Sequence, residues 1–203
     1  MELAQEIDNT AVSVDAKATD KHIPGEAGVW VLVLGDAFVF VLLFVSFLAY
    51  RSQALALYSD SQNQLNMHLG AVNTLLLLAS SWFVVTALHA LRRELQRLAM
   101  RLFQLAWLSG FGFGVVKVIE YSEKFEQGIT PLTNSFFMFY FVLTGIHFIH
   151  LLIGLGVLAF MMSVLKRSKP GERRLATLES GATYWHLVDL LWIVLFPLLY
   201  LVR

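Results

Sequence analysis

Five apolar stretches, each long enough to cross a lipid bilayer, constrain this chain more than any other feature. A helical span needs about 20 mostly apolar residues, and five segments of the 203-residue sequence reach that length. They are Val29 to Tyr50, Met67 to Leu91, Leu102 to Tyr121, Ser135 to Leu165, and Tyr184 to Val202. Membrane β-strands are excluded because the stretches are too long and lack period-two alternation. The sequence predicts an all-α integral membrane protein, with a polar tail over residues 1–28 and one five-helix transmembrane bundle over residues 29–203.

The composition supports this fold class and excludes several functions. Hydrophobic residues make up 57% of the chain and charged residues 15%, whereas a soluble domain is about 45–50% apolar and about 25% charged. The apolar excess must therefore face lipid. The absence of cysteine excludes thiolate nucleophiles, iron–sulfur ligation and cysteine-type zinc sites. A formal net charge of zero gives no reason to expect a nucleic-acid partner.

Basic residues in the loops predict the orientation. Most of them lie in the loop between spans two and three and the loop between spans four and five, which are on the same side of the membrane because two spans separate them. The first loop has Arg92, Arg93, Arg97 and Arg101, and the second has Lys166, Arg167, Lys169, Arg173 and Arg174. The other two loops offer only Arg51 and Lys124. Because cytoplasmic loops are enriched in lysine and arginine, we expect a cytoplasmic N-terminus and a periplasmic C-terminus. The acidic tail lacks the basic region and cleavage site of a signal peptide.

Ionisable side chains inside the spans are the candidate functional residues, because such groups are costly in lipid and turn toward protein or water. Lys117 and Glu120 lie three residues apart and can pair, with Lys117 expected to reach the membrane interface. The residues that we expect to form the buried polar interior are Asp36, Glu120, His147, His150, His186 and Asp189.

Two interpretations of these residues stay open. His150, His186, Asp189 and Asp36 fall in the same half of the membrane, and two imidazoles with two carboxylates are a metal-ligand set. A polar network between helices is the favoured alternative. Haem ligation needs histidines that face each other at matched depth, and no such pair is evident. We therefore expect no catalytic residue, metal site or resident cofactor in this chain, and no lipid-binding residue can be named.

Small and aromatic residues predict how the helices pack. Glycines in the third and fourth spans let helices approach closely: Gly110, Gly112, Gly114, Gly145, Gly154 and Gly156. Aromatic residues near the ends of the spans predict a belt at the membrane interfaces: Trp30, Tyr50, Tyr121, Tyr184 and Trp185.

Two motifs resemble a known family. Residues 144–150 read TGIHFIH in the fourth span, and residues 184–189 read YWHLVD in the fifth, followed by Trp192. With Glu120-Tyr121 in the third span, they resemble, in the same order, the signature segments of subunit III of the haem–copper oxidases. The segment from His22 to Trp30, followed by Leu34-Gly35-Asp36, is most similar to the NorE branch, which is associated with bacterial nitric oxide reductase.

The resemblance implies a function. It implies a non-catalytic accessory subunit in the bacterial inner membrane, which supports the assembly, stability and turnover of a haem-containing catalytic subunit and is associated with phospholipid. Asp36 occupies the position of the family's carbodiimide-reactive carboxylate, and the other five candidates match motif positions of the polar interior. Nitric oxide reductase is the expected partner, and a quinol or cytochrome c oxidase is the alternative. A proton-conducting or transport protein ranks lower, because no internal repeat is evident.

Overall fold

The structure, a computed structural model, describes residues 27–167 and 171–202. Within these ranges it is all-helical: α1 (Ala27–Gln53), α2 (Leu55–Asn63), α3 (Met67–Arg92), α4 (Gln96–Glu126), α5 (Ser135–Arg167), and α6 (Glu172–Phe196), which a π-helical turn (Pro197–Leu201) continues. Five of the helices, all except α2, are long and apolar enough to cross a membrane. The prediction of five membrane-spanning helices is confirmed. The tail predicted over residues 1–28 lies almost entirely outside the described residues.

Two helices extend well beyond the predicted spans. The third span was expected from Leu102 to Tyr121, but α4 is 31 residues long, or roughly 46 Å at about 1.5 Å per residue. The fifth was expected to begin at Tyr184, but α6 begins at Glu172. An apolar stretch marks only the part of a helix that matches the hydrocarbon core, of about 30 Å, whereas backbone hydrogen bonding continues through the charged residues beyond it.

Helix α2 is a short element that the sequence did not predict. Its Tyr58 is fully buried, with ring centroids 5.4 Å from Phe47 of α1 and 5.5 Å from Phe136 of α5. Burial raises the pKa of the Tyr58 phenol, so the hydroxyl stays protonated. These edge-to-face aromatic contacts hold α2 across one end of the bundle.

A tight turn joins α3 to α4. The amide of Leu95 donates to Ala90 O and the amide of Glu94 donates to Leu91 O, both at 2.9 Å. This pattern is a Schellman motif, with Glu94 in the left-handed position at φ 62°. The turn makes α3 and α4 antiparallel neighbours, and the Ser80 hydroxyl of α3 donates to Ala106 O of α4 at 2.8 Å.

Two glycines allow α6 to sit close to α4 and α5. A Cβ at Gly110 would lie 2.6 Å from the Trp185 ring, and one at Gly154 would lie 2.8 Å from it. Trp185 is fully buried, so its expected place in the interfacial belt is wrong. Because glycine has no side chain, the Trp185 indole fits at these two positions and fills the space between the helices.

Helices α6 and α1 differ sharply in how far they are enclosed. In the most apolar 18-residue stretch of each helix, 61% of the residues of α6 are buried but only 11% of those of α1. Helix α6 therefore lies at the centre of the bundle, and α1 lies at its edge. The polar residues of the interior are arranged around α6.

Candidate functional site

A fully buried ion pair lies at the centre of the largest polar group, which we call the Lys117 cluster (Lys117, Glu120, Tyr140 and Tyr200). Lys117 Nζ donates to Glu120 Oε2 at 3.0 Å and to the hydroxyls of Tyr140 and Tyr200 at 3.2 Å each. The Tyr200 hydroxyl donates to Glu120 Oε1 at 2.5 Å. All three ammonium donors therefore have an acceptor. The cluster joins α4, α5 and the π-helical turn.

The surroundings of Lys117 explain why its side chain stays inside. Only 1% of the residue is exposed, and Glu120 is not exposed at all. The ammonium also lies 4.7 Å from the ring centroid of Tyr140 and 5.3 Å from that of Trp192, which are cation–π distances. The expectation that Lys117 reaches the membrane interface is wrong, because a carboxylate, two hydroxyls and aromatic faces replace the water it would find there.

Pro197 places Tyr200 in the cluster. Proline has no amide hydrogen, so one regular hydrogen bond of α6 is lost there. A π-helical turn follows, in which Val202 N donates to Pro197 O at 2.9 Å. Gln62 of α2 donates from Nε2 to the carbonyls of Leu198 at 3.4 Å and Leu199 at 3.2 Å. The sequence prediction missed this arrangement, although a proline within an apolar stretch was a visible signal.

A second pair of hydroxyls extends the cluster along α5. The Thr144 hydroxyl donates to Tyr140 O at 2.6 Å, and the Tyr121 hydroxyl lies 2.6 Å from Thr144 Oγ1. Because Thr144 uses its only hydrogen on the carbonyl, Tyr121 must be the donor to Thr144. The first residue of the TGIHFIH motif thus ties α5 to α4.

Asp36 and His150 form a second, separate pair between α1 and α5. His150 Nε2 lies 3.3 Å from Asp36 Oδ2, and the side chains are 17% and 30% exposed, respectively. His150 Nδ1 lies 2.9 Å from Ile146 O, which can only accept, so Nδ1 carries a hydrogen. The pair links α1 to α5 at the edge of the bundle.

His147 has different surroundings from His150, although both belong to the same motif. It is fully buried, and its ring centroid lies 5.6 Å from Phe113 and 5.3 Å from Trp192. Neither of its ring nitrogens has a hydrogen-bond partner among the described residues. Asn73 of α3 is equally buried, and its amide group also has no partner within that part of the chain.

The second motif connects α6 to α3. His186 Nδ1 lies 2.6 Å from the Ser81 hydroxyl, and Trp192 Nε1 donates to Thr74 Oγ1 at 3.0 Å. Asp189 is buried beside Ser81 and His186. Ser81 of α3 is therefore a shared neighbour of His186 and Asp189.

One ion pair outside the motifs also joins α3 to α6. Arg92 Nη2 lies 2.8 Å from Glu179 Oε1, and Glu179 is buried while Arg92 is half exposed. The sequence prediction treated Arg92 only as an orientation signal, because its partner lies 87 residues away.

The six candidate residues thus fall into separate places rather than one site. Glu120 belongs to the Lys117 cluster, Asp36 pairs with His150, His186 and Asp189 lie against α3, and His147 packs between aromatic rings. Within the described ranges, no group of three or more histidine, aspartate or glutamate side chains is arranged to hold a metal ion. The described geometry therefore gives no support to the four-ligand metal alternative and fits links between helices.

Comparison with known proteins defines the family. Residues 13–202 match the family model described as cytochrome c oxidase subunit III. The chain belongs to the cytochrome c oxidase subunit III family. It is 33% identical to cytochrome c oxidase subunit 3 of a Synechocystis species, over 95% of this chain and 86% of the relative. It is 24% identical to a protein named probable quinol oxidase subunit 3 of Staphylococcus haemolyticus, over 94% of each chain.

A third relative gives the same picture. The protein named probable quinol oxidase subunit 3 of Staphylococcus aureus is 22% identical over 94% of each chain. Membership of the subunit III family confirms the resemblance inferred from the TGIHFIH and YWHLVD motifs. The narrower NorE assignment has no counterpart among these relatives, whose names are those of oxidase subunits.

Proposed function

We propose that this chain is the accessory subunit III of a haem–copper terminal oxidase of the cytochrome c or the quinol type. The observation that carries the proposal is the match, over nearly the whole chain, to relatives with those names. In this role the chain has no redox centre of its own and packs beside a haem-containing catalytic subunit. It supports the assembly, stability and turnover of that subunit. The interior contacts fit such a role, because they link α3, α4, α5 and α6 to one another.

Co-purification tests the partner. The chain, tagged and expressed at its native level, is extracted in a mild detergent, and the eluate is examined for haem by absorption spectroscopy. We expect a large haem-bearing subunit to elute with it. The electron donor that this complex oxidises will then distinguish a cytochrome c oxidase from a quinol oxidase. A chain that elutes without any haem protein would contradict the proposal.

A second candidate is the nitric oxide reductase complex of the NorE branch. It is favoured by the segment from His22 to Trp30, whereas the comparisons favour an oxidase. Deletion of the gene, followed by measurement of oxygen and nitric oxide consumption in the same cells, separates the two. Under our proposal oxygen consumption falls. A loss of nitric oxide consumption alone would replace our proposal with the NorE alternative.

We propose an orientation in which the N-terminus and the α3–α4 turn face the cytoplasm of a bacterial inner membrane. The chain has no cysteine, so single cysteines can report each side. Gln127→Cys should react with an impermeant maleimide in spheroplasts, and Arg97→Cys only after lysis. The reverse pattern would invert the topology.

Asp36 is proposed as the carboxylate that reacts with hydrophobic carbodiimides. Its support is geometric: the side chain is 30% exposed on the helix at the edge of the bundle, whereas Glu120 is fully buried. Mass spectrometry should find the adduct on Asp36 and none on Glu120, and Asp36→Asn should abolish it. An adduct that persists in Asp36→Asn would refute this role.

Phospholipid is the one small molecule that we propose to be associated with the subunit. The support for this proposal is the resemblance to the family.

A further inference from the structure

A cavity opens beside the α3–α4 turn, at the end of the bundle where Arg92 meets Glu179. Its volume is about 500 Å³, and it is lined by Thr86, His89, Ala90, Arg92, Arg93, Leu95 and Leu98. The lining therefore combines two guanidinium groups and an imidazole with apolar side chains. None of the described residues that line the cavity is acidic.

The turn places Arg93 and Glu94 beside different cavities. Glu94 follows Arg93 directly, but it lines a second cavity of about 220 Å³ together with Arg174 and Gly171, and Arg92 borders both cavities. The left-handed conformation of Glu94, at φ 62°, reverses the chain at this point. Arg92 is therefore shared with Glu179 and the second cavity, whereas Arg93 lines the 500 Å³ cavity, which has no acidic side chain among its described lining residues.

The two arginines differ in what holds them. Arg92 donates to the buried Glu179, and its remaining N–H donors exceed what that single contact uses. Arg93 is exposed and forms no ion pair with an acidic side chain in the described part of the chain. Helix α4 also begins here without a side-chain cap, so its first amides add partial positive charge.

The apolar part of the cavity continues along the lipid-facing surface. The Thr86 hydroxyl donates to Trp82 O, one turn earlier in the helix, so both residues lie on the same side of α3. Trp82 is 64% exposed. On α4, Leu98 lines the cavity and Leu105, two turns further along, is exposed as well. Cationic groups at the helix ends therefore meet apolar surface within the span.

We propose that this cavity binds the phosphate of an anionic phospholipid, with Arg93, Arg92 and His89 around the headgroup and the acyl chains along α3 and α4. Basic pockets between helices at a membrane surface recognise such headgroups. A soluble phosphate would satisfy the arginines but would leave the apolar side chains unused. The inference rests on the proposed association with phospholipid, which it makes specific, and it holds whichever oxidase is the partner.

Native mass spectrometry of the full-length chain in detergent micelles tests the site. The chain is titrated with phosphatidylglycerol and, separately, with phosphatidylcholine, and inorganic phosphate is then added as a competitor. We expect phosphatidylglycerol to bind more tightly than phosphatidylcholine and to persist in millimolar phosphate. Arg93→Gln should weaken the phosphatidylglycerol complex about fivefold, the usual contribution of one basic residue near a lipid surface.

Two further variants distinguish a specific site from general attraction. Arg97→Gln removes the same charge from an exposed residue of α4 outside the cavity, and it should leave phosphatidylglycerol binding unchanged. Arg93→Lys keeps the charge and should retain most of the binding, with all variants melting at the same temperature as the parent chain.

Several outcomes would overturn the inference. Equal losses in Arg93→Gln and Arg97→Gln would assign the binding to general surface charge. Displacement of the lipid by phosphate would make this a site for a soluble anion. Unchanged lipid binding in Arg93→Gln, with loss of the co-purifying catalytic subunit instead, would assign this surface to a protein partner. A failure to co-purify any haem protein would refute the proposed function but leave the lipid site standing.

Discussion

The Lys117–Glu120 pair and the Asp36–His150 pair are both acid–base contacts inside membrane-spanning helices, yet their surroundings differ in almost every respect. The first is enclosed by α4, α5 and the π-helical turn, with every ammonium donor satisfied. The second is partly exposed and links α1 to α5 at the edge of the bundle. The comparison indicates that α3 to α6 form a core held by buried contacts, to which α1 attaches at the edge.

The difference in burial between the two pairs determines how much free energy of unfolding each substitution should cost. A buried charge that loses its partner costs about 3–5 kcal/mol, because the remaining charge has no water to solvate it. A partly exposed pair contributes about 0–1 kcal/mol, because solvent or lipid headgroups compete for both members. Substitutions in the two regions should therefore differ several-fold in their effect on the free energy of unfolding.

The largest effect is expected for Glu120→Leu, which leaves the Lys117 ammonium buried beside two hydroxyls. We expect the free energy of unfolding in mixed micelles to fall by about 3–5 kcal/mol. The double variant Lys117→Met/Glu120→Leu should recover most of this loss, since it removes both charges. Glu123→Leu, an exposed substitution three residues further along α4, serves as the control. If Glu120→Leu were as mild as Glu123→Leu, the cluster would not hold the core together.

The next largest effect is expected where the core is most tightly packed. Gly110→Ala places a methyl group 2.6 Å from the Trp185 ring, so the indole or α4 must move. Such overpacking costs about 1–3 kcal/mol. Gly156→Ala on α5 adds the same group where nothing lies within 4 Å, and it should be neutral or slightly stabilising. Thermal melting followed by circular dichroism checks both variants, and equal melting temperatures would show that α4 and α6 are not in close contact.

The smallest effect is expected at the edge of the bundle. Asp36→Leu removes a pair that is partly exposed, so the free energy of unfolding should change by about 1 kcal/mol or less. The same unfolding experiment measures it, with Asp36→Asn as the variant that keeps a hydrogen-bonding oxygen for His150. A cost comparable to that of Glu120→Leu would contradict the comparison and place α1 within the core.

Some of the candidate site was visible in the sequence, and some was not. The spacing of Lys117 and Glu120 predicted their contact, because residues three apart on a helix are neighbours. It did not reveal Tyr140 and Tyr200, which come from other helices. His147 and His150 also lie three apart, roughly 60° from each other around the helix axis. That angle is enough for His150 to meet Asp36 while His147 faces Phe113 and Trp192.

The sequence by itself determined the class of protein, the number of spans and the family. A bilayer requires long apolar helices, so span number follows from hydropathy alone, and the TGIHFIH and YWHLVD motifs are local. Only the tertiary structure decided which polar groups meet, why Lys117 stays buried, and why Trp185 lies inside rather than in an interfacial belt. These outcomes depend on side chains distant along the chain, such as Tyr200 for Lys117, Glu179 for Arg92 and Gly110 for Trp185. The hydropathy pattern and the local motifs do not specify which helices become neighbours.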